Sequence, residues 1–139
     1  MQSHRLTDQL SVAAQISVDD IATIAAQGFR SIINNRPDDE VEGQPANAEL
    51  QAVAQQTGLA WRHIPVVSGN VNEVQASSFA DALKQLPGPV LAFCRSGTRS
   101  SMLWVMQAKG TADSILATAE AAGYNLSNLR PWLDMRDRE

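Results

Sequence analysis

The chain contains one cysteine, Cys94, and the six residues after it hold two arginines, two serines, a glycine and a threonine, in the run CRSGTRS. A thiol attacks only as the thiolate, so it needs positive charge and hydrogen-bond donors close by. Both have candidates here. Arg95 and Arg99 carry fixed charge, and a guanidinium can hold an oxyanion through two parallel hydrogen bonds. Gly97 permits the positive φ that a tight loop between a strand and a helix demands. The main-chain N–H groups of Ser96, Gly97 and Thr98 can then turn inward as an anion cradle, at the positive end of the next helix dipole. Helix N-termini and cations favour ionisation of a thiol, so a thiolate at neutral pH is the expectation. The expected catalytic groups are Cys94, Arg99 and Ser100, with the Ser100 hydroxyl hydrogen-bonded to the sulfur or easing its departure. The expected anion-binding residues are Arg95, Ser96, Gly97 and Thr98. A cysteine can also be a small buried hydrophobe. The strand, glycine, two arginines and serine gathered around this one argue for chemistry instead.

The elements that must position this loop are legible on either side of it. Val90 to Cys94, in PVLAFC, form an apolar run of the kind found when both faces of a sheet are covered. RSSMLWVMQAKG after it has a helical pattern, with Trp104 anchoring the helix to the sheet beside Leu103 and Met106. Upstream, DQLSVAAQ reads as an opening strand and His4 lies in a loose N-terminus without a role. SVDDIATIAAQG reads as a helix with a cap at Ser17, an acid at Asp20 in the capping-box position and a stop at Gly28. FRSIINN is a strand, NAELQAVAQQTG a helix and LAWRHIPV a strand. NEVQASSFADALKQLPG is a helix with Val74, Phe79, Leu83 and Leu86 on its buried face. TADSILATAEAAG and NLSNLRPWLDM are the last helical segments. Strands alternating with helices imply an α/β fold of three layers, a central mostly parallel sheet flanked by helices. Such sheets bind ligands beyond the carboxyl ends of their strands, where Cys94 stands. Residues 1–139 are expected to form one domain.

Composition narrows the function classes. A formal net charge of -4 supplies no electrostatic footprint for nucleic acid or an anionic membrane. The start MQSHRLTDQL lacks the apolar core of a secretory signal, and no apolar run reaches the ~20 residues of a spanning helix. One cysteine and two distant histidines make no metal-ligand pattern. A reduced cytoplasmic protein without metal or cofactor is the expectation.

Several stretches carry a resemblance. LTDQLSVAAQIS, GFRSIINNRPDDE, QPANAEL, HIPVVSG and FCRSGTRSSMLW, over about residues 5 to 110, resemble the phosphatase-like domain of beta-lactamase-hydrolase-like proteins. CRSGTRS itself is similar to the active-site loop of rhodanese sulfurtransferases and to a shortened cysteine-phosphatase loop. The resemblance implies a dual-specificity-phosphatase fold and one of two reactions. Cysteine phosphatases use C-x5-R, whereas Arg99 stands one residue early and Ser100 holds the usual arginine position. They also use a general acid, which the resemblance places after the IPV strand, where this chain has Ser68, Gly69 and Asn70. A shorter cradle and a missing acid favour sulfur transfer, in which Cys94 carries a sulfane sulfur as a persulfide and passes it to an external thiol. The alternative is a phosphatase acting through a Cys94 phosphoenzyme, with Asp38 or Asp39 of RPDDE recruited as the acid. A third reading is a non-catalytic anion- or persulfide-binding module that docks on a sulfide-oxidation enzyme. Asn35, Arg36, Asp38 and His63 are candidates for the rim of the site. The expected partners are a small anionic or persulfide substrate and an external thiol acceptor, with no nucleic acid and no membrane.

Overall fold

The computed structural model describes residues 1–138. Its five strands are β1 (Ser3–Thr7), β2 (Leu10–Ala13), β3 (Ser31–Asn34), β4 (Ala60–His63) and β5 (Val90–Phe93). They form one sheet in the order β1-β2-β5-β3-β4. β1 pairs antiparallel with β2, and every other pairing is parallel. The helices are α1 (Asp20–Ala26), α2 (Asn47–Gln56), α3 (Glu73–Gln85), α4 (Thr98–Gln107), α5 (Ala112–Ala121) and α6 (Arg130–Asp137).

Strand β5 is central, and all four of its residues are buried. Period-2 geometry splits them between two cores. Val90 and Ala92 join Phe79, Leu103, Val105, Ile115 and Leu133, beneath α3 to α6. Leu91 and Phe93 join Ile21, Ile24, Leu50 and Ala54, beneath α1 and α2. The result is three layers, as the alternation of strands and helices predicts. The register brings the strands to a common edge, because Phe93 lies opposite both Ala13 and Asn34. No helix among the described residues is long and apolar enough to cross a membrane.

Local signals fix the helix starts. Ser17 N–H bonds the Asp20 carboxylate and Asp20 N–H the Ser17 hydroxyl, the expected reciprocal pair, in the turn that leads into α1, whose own cap position is Asp19 rather than Ser17. Asn72 and Gln75 make a capping box at α3. Two details differ from the sequence reading. The N-terminal residues are strand β1 rather than a loose end, and His4 packs edge-on against Tyr124 with ring centroids 5.7 Å apart. Val74 is 76% exposed rather than part of the α3 core face. It lies five residues from buried Phe79, about 140° away at ~100° per residue, and so points to solvent.

Candidate active site

Cys94 follows β5 directly, and its own N–H reaches the Ala13 carbonyl at 3.4 Å. The chain then turns over at Gly97, whose φ of 93° places it in the left-handed region at the start of α4. This turn swings the Gly97 N–H back onto the Cys94 sulfur at 3.1 Å. The loop is braced on both sides. Gln15 N–H, just past β2, donates to the Arg95 carbonyl at 3.2 Å. The Tyr124 hydroxyl donates to the Ser96 carbonyl at 3.3 Å. A Cβ on Gly97 would run into that same hydroxyl and lie 3.0 Å from the tyrosine Cζ, so both φ and space demand glycine. Ser96 and Thr98 are exposed, and their hydroxyls bond to each other at 3.0 Å while Thr98 N–H reaches Ser96 Oγ. Arg95 is exposed, with no side-chain hydrogen bond among the described residues.

Arg99 is the arginine of the site. Its side chain is buried, and its two terminal nitrogens close on the two oxygens of Glu40 at 2.7 and 2.8 Å. Nη1 also donates to the Val66 carbonyl at 2.8 Å. Arg36, likewise buried, donates from Nε to the same carboxylate at 2.7 Å and from Nη1 to Gln15 Oε1 at 3.0 Å. Two guanidiniums thus share one carboxylate. The Arg99 hydrogen bonds, helped by Arg36 and opposed by burial, hold the Glu40 carboxyl down at about 2. Glu40 in turn raises the pKa of Arg99, against burial and with help from the charge of Cys94. Burial and then the Cys94 charge raise that of Tyr124. Cys94 itself is 0% exposed, yet it belongs to neither apolar core. The Gly97 N–H lies on its sulfur, and its charge acts on Arg99.

The other candidates are placed differently from expectation. The Ser100 hydroxyl donates to Asn35 Oδ1 at 2.8 Å rather than to the sulfur, because the first turn of α4 faces the end of β3. Asn35 in turn donates from Nδ2 to the Ile64 carbonyl at 3.0 Å, tying β3 to the segment after β4. It is a strut beneath the site rather than a rim residue. Asp38 accepts from Asn47 N–H at 2.8 Å at the start of α2, and Asp39 is exposed. His63 Nε2 meets the Arg36 carbonyl at 3.1 Å, fixing the backbone that carries the guanidinium. Glu40 is not among the candidates the sequence offers from this acidic run, which are Asp38 and Asp39. The available signal was Arg36, four residues before it.

Residues 3–112 match the model of the family described as beta-lactamase hydrolase-like protein, phosphatase-like domain. The beta-lactamase hydrolase-like protein of Xylella fastidiosa (strain 9a5c) is 35% identical over 133 residues, which are 93% of this chain and 31% of that one. This chain thus spans about a third of the length of the curated relatives it matches. A crystal structure of a candidate phosphatase from Neisseria meningitidis is 36% identical with a TM-score of 0.82, covering 95% of this chain and 96% of that one. The kinase-associated phosphatase with its catalytic-site cysteine replaced by serine shares the fold at 14% identity and a TM-score of 0.70, covering 98% of this chain and 93% of its own. By fold, by the matched residues and by the cysteine loop at the end of β5, the chain belongs to the phosphatase-like domain family of the beta-lactamase hydrolase-like proteins.

Proposed function

We propose that the domain is a cysteine-dependent phosphate monoester hydrolase. The observation that carries this reading is the fork of Arg99 closed two-on-two around an anion beside a sulfur that a main-chain N–H also holds. A phosphoryl group presents the same pair of oxygens to that fork. In the first step the Cys94 thiolate forms an S–P bond as the ester P–O bond breaks and the alcohol oxygen leaves with the electron pair. In the second, water attacks the thiophosphoryl group, orthophosphate departs and the thiolate returns. Arg99 and the N–H groups of the loop stabilise the charge on the equatorial oxygens throughout.

The acid side of the site narrows the substrate. Glu40 is held ionised by the two arginines, and Asp38 is committed to Asn47, so neither of these carboxylates is placed to protonate a leaving oxygen. Substrates whose alcohol leaves as a stable anion, aryl and tyrosyl phosphates, therefore suit it better than alkyl phosphates. The same lack of an acid supports a second reading, sulfur transfer. There the thiolate takes the outer sulfur of thiosulfate with release of sulfite, and an external thiol then takes that sulfur from the Cys94 persulfide. The acceptor must come from elsewhere because the chain has one cysteine.

One experiment separates the readings. The protein is given an aryl phosphate and, separately, thiosulfate, with phosphate release and intact mass as readouts. Aryl phosphate turnover that vanishes in Cys94→Ser supports the hydrolase. A gain of one sulfur atom with no phosphate release overturns it in favour of the transferase.

A further inference from the structure

The anion in the site belongs to the protein itself. Glu40 Oε1 lies within hydrogen-bond reach of both Arg36 Nε and Arg99 Nη2, and Oε2 takes the second hydrogen bond from Arg99. The two arginines are almost wholly buried, at 4% and 8% exposure. With Glu40 in place the two guanidiniums exceed the carboxylate by one positive charge, which the Cys94 thiolate offsets, and without Glu40 the site is left one positive charge in surplus. Buried charges of this kind call for a counter-ion.

The segment that delivers Glu40 is held by polar contacts alone, among them Asp38 on the Asn47 N–H at 2.8 Å. Residues 38–43 are all exposed, and Val41 points outward at 43% exposure. The loop braces itself, with Glu40 N–H on Gln44 Oε1 at 3.0 Å and Gln44 Nε2 on the Pro37 carbonyl at 2.8 Å. None of its residues belongs to either core. The carboxylate is its tie to the arginines, so withdrawing it undoes no apolar packing. Protonation does not release it in the neutral range, because the arginines hold the carboxyl at about 2. Competition from another anion can.

We propose that Arg36 and Arg99 together form a subsite for a dianionic oxyanion, and that Glu40 is its resident competitor, which holds the site shut until a doubly charged group displaces it. An oxygen of the incoming group in the place of Oε1 would keep both guanidiniums, and its second charge gives it the electrostatic advantage over the single charge of Glu40. Arg36 thereby becomes a binding residue for the substrate anion. The inference rests on the reading of the Cys94 site as an anion-processing one, but not on which reaction follows.

The test uses alkylation of Cys94 by iodoacetamide, a neutral reagent, with inorganic phosphate and thiosulfate as protecting dianions. It requires no turnover, so a failed phosphatase assay does not bear on it. Glu40→Gln is expected to speed alkylation and to lower the half-protecting dianion concentration, each by about tenfold, since a competitor reduces apparent affinity by the fraction of open sites. Glu40→Ala should do the same. Adding Arg36→Gln to Glu40→Gln should raise the half-protecting concentration again by about tenfold, as expected for loss of a charge-assisted contact. Glu42→Gln removes the same charge from the same exposed loop and should change neither quantity. The proposal is overturned if Glu40→Gln weakens protection, which would make Glu40 a brace for Arg99. It is equally overturned if Glu42→Gln reproduces the effect, or if neither dianion protects the wild type and Glu40→Gln.

Discussion

Replacing Ser100 by alanine decides between two roles for that hydroxyl. The sequence alone points to the sulfur, whereas the structure directs the hydrogen to Asn35 Oδ1 at 2.8 Å, with both residues at 0% exposure. Ser100→Ala leaves that buried amide oxygen without its donor, a loss of about 1–2 kcal/mol. Asn35→Ala costs more. It leaves the buried Ser100 hydroxyl unpaired, removes the donor to the Ile64 carbonyl and opens a small void, for about 2–4 kcal/mol in all. Once either partner is gone the other matters less, so the double variant should fall short of the sum by about 1 kcal/mol. Urea denaturation of the four proteins measures this cycle, provided their m values agree. Activity is read on the same samples, and Ser100→Ala should lose stability while keeping kcat within a few-fold. If Ser100→Ala keeps full stability and loses turnover by a hundredfold or more, an effect of the size expected for a group acting on the reacting atoms, the structural argument is wrong.

Other perturbations test the remaining parts of the site. The Glu40 carboxyl lies at about 2 when folded, against 4.5 when free, so its ion pairs stabilise the fold above pH 4.5 and are lost as pH falls toward 2. With its side chain 22% exposed, screening reduces the contribution to roughly 1–2 kcal/mol. Wild type should therefore lose more stability than Glu40→Gln between neutral pH and pH 3, and equal losses would count against the pairing. Gly97→Ala combines strain at φ 93° with a clash at the Tyr124 hydroxyl, for about 2 kcal/mol or more, and Tyr124→Phe in that background should restore part of it. A Gly97→Ala variant as stable as wild type would contradict the left-handed turn. Phe79→Ala, which empties a 0% exposed site in the core beneath α3, should cost about 3–5 kcal/mol by thermal or urea unfolding, whereas Val74→Ala on the same helix should be nearly neutral.

What the sequence makes legible is what its neighbours encode. PVLAFC announces a strand covered on both faces, and CRSGTRS announces a turn with a required glycine, because both signals are complete within a few residues. Strand β1 is not announced. SHRLT is short and polar, and it becomes a strand only by pairing with β2 at the edge of the sheet. The partners of the loop are hidden for a similar reason. Glu40 meets Arg99 across 59 residues and Asn35 meets Ser100 across 65, so only the four-residue spacing from Arg36 sets residue 40 apart from its acidic neighbours. Tyr124 is hidden in the same way, reaching Ser96 across 28 residues from beyond α5. The reactive group was readable from its own loop, and its company was not.

The flush ending of β2, β5 and β3 governs how this site can change. Because Phe93 is level with Ala13 and Asn34, the residues just beyond those three positions, from Cys94 to Gln15 and Arg36, inherit their spacing from sheet pairing. One residue added within β5 would exchange the faces of Val90 and Ala92 with those of Leu91 and Phe93, and would push the sulfur about 3.3 Å past its neighbours. The surface segment bearing Glu40 is under no such constraint. Changes in that exposed stretch can therefore alter what meets Arg36 and Arg99, while the spacing of Cys94 from Arg36 stays tied to the strand ladder.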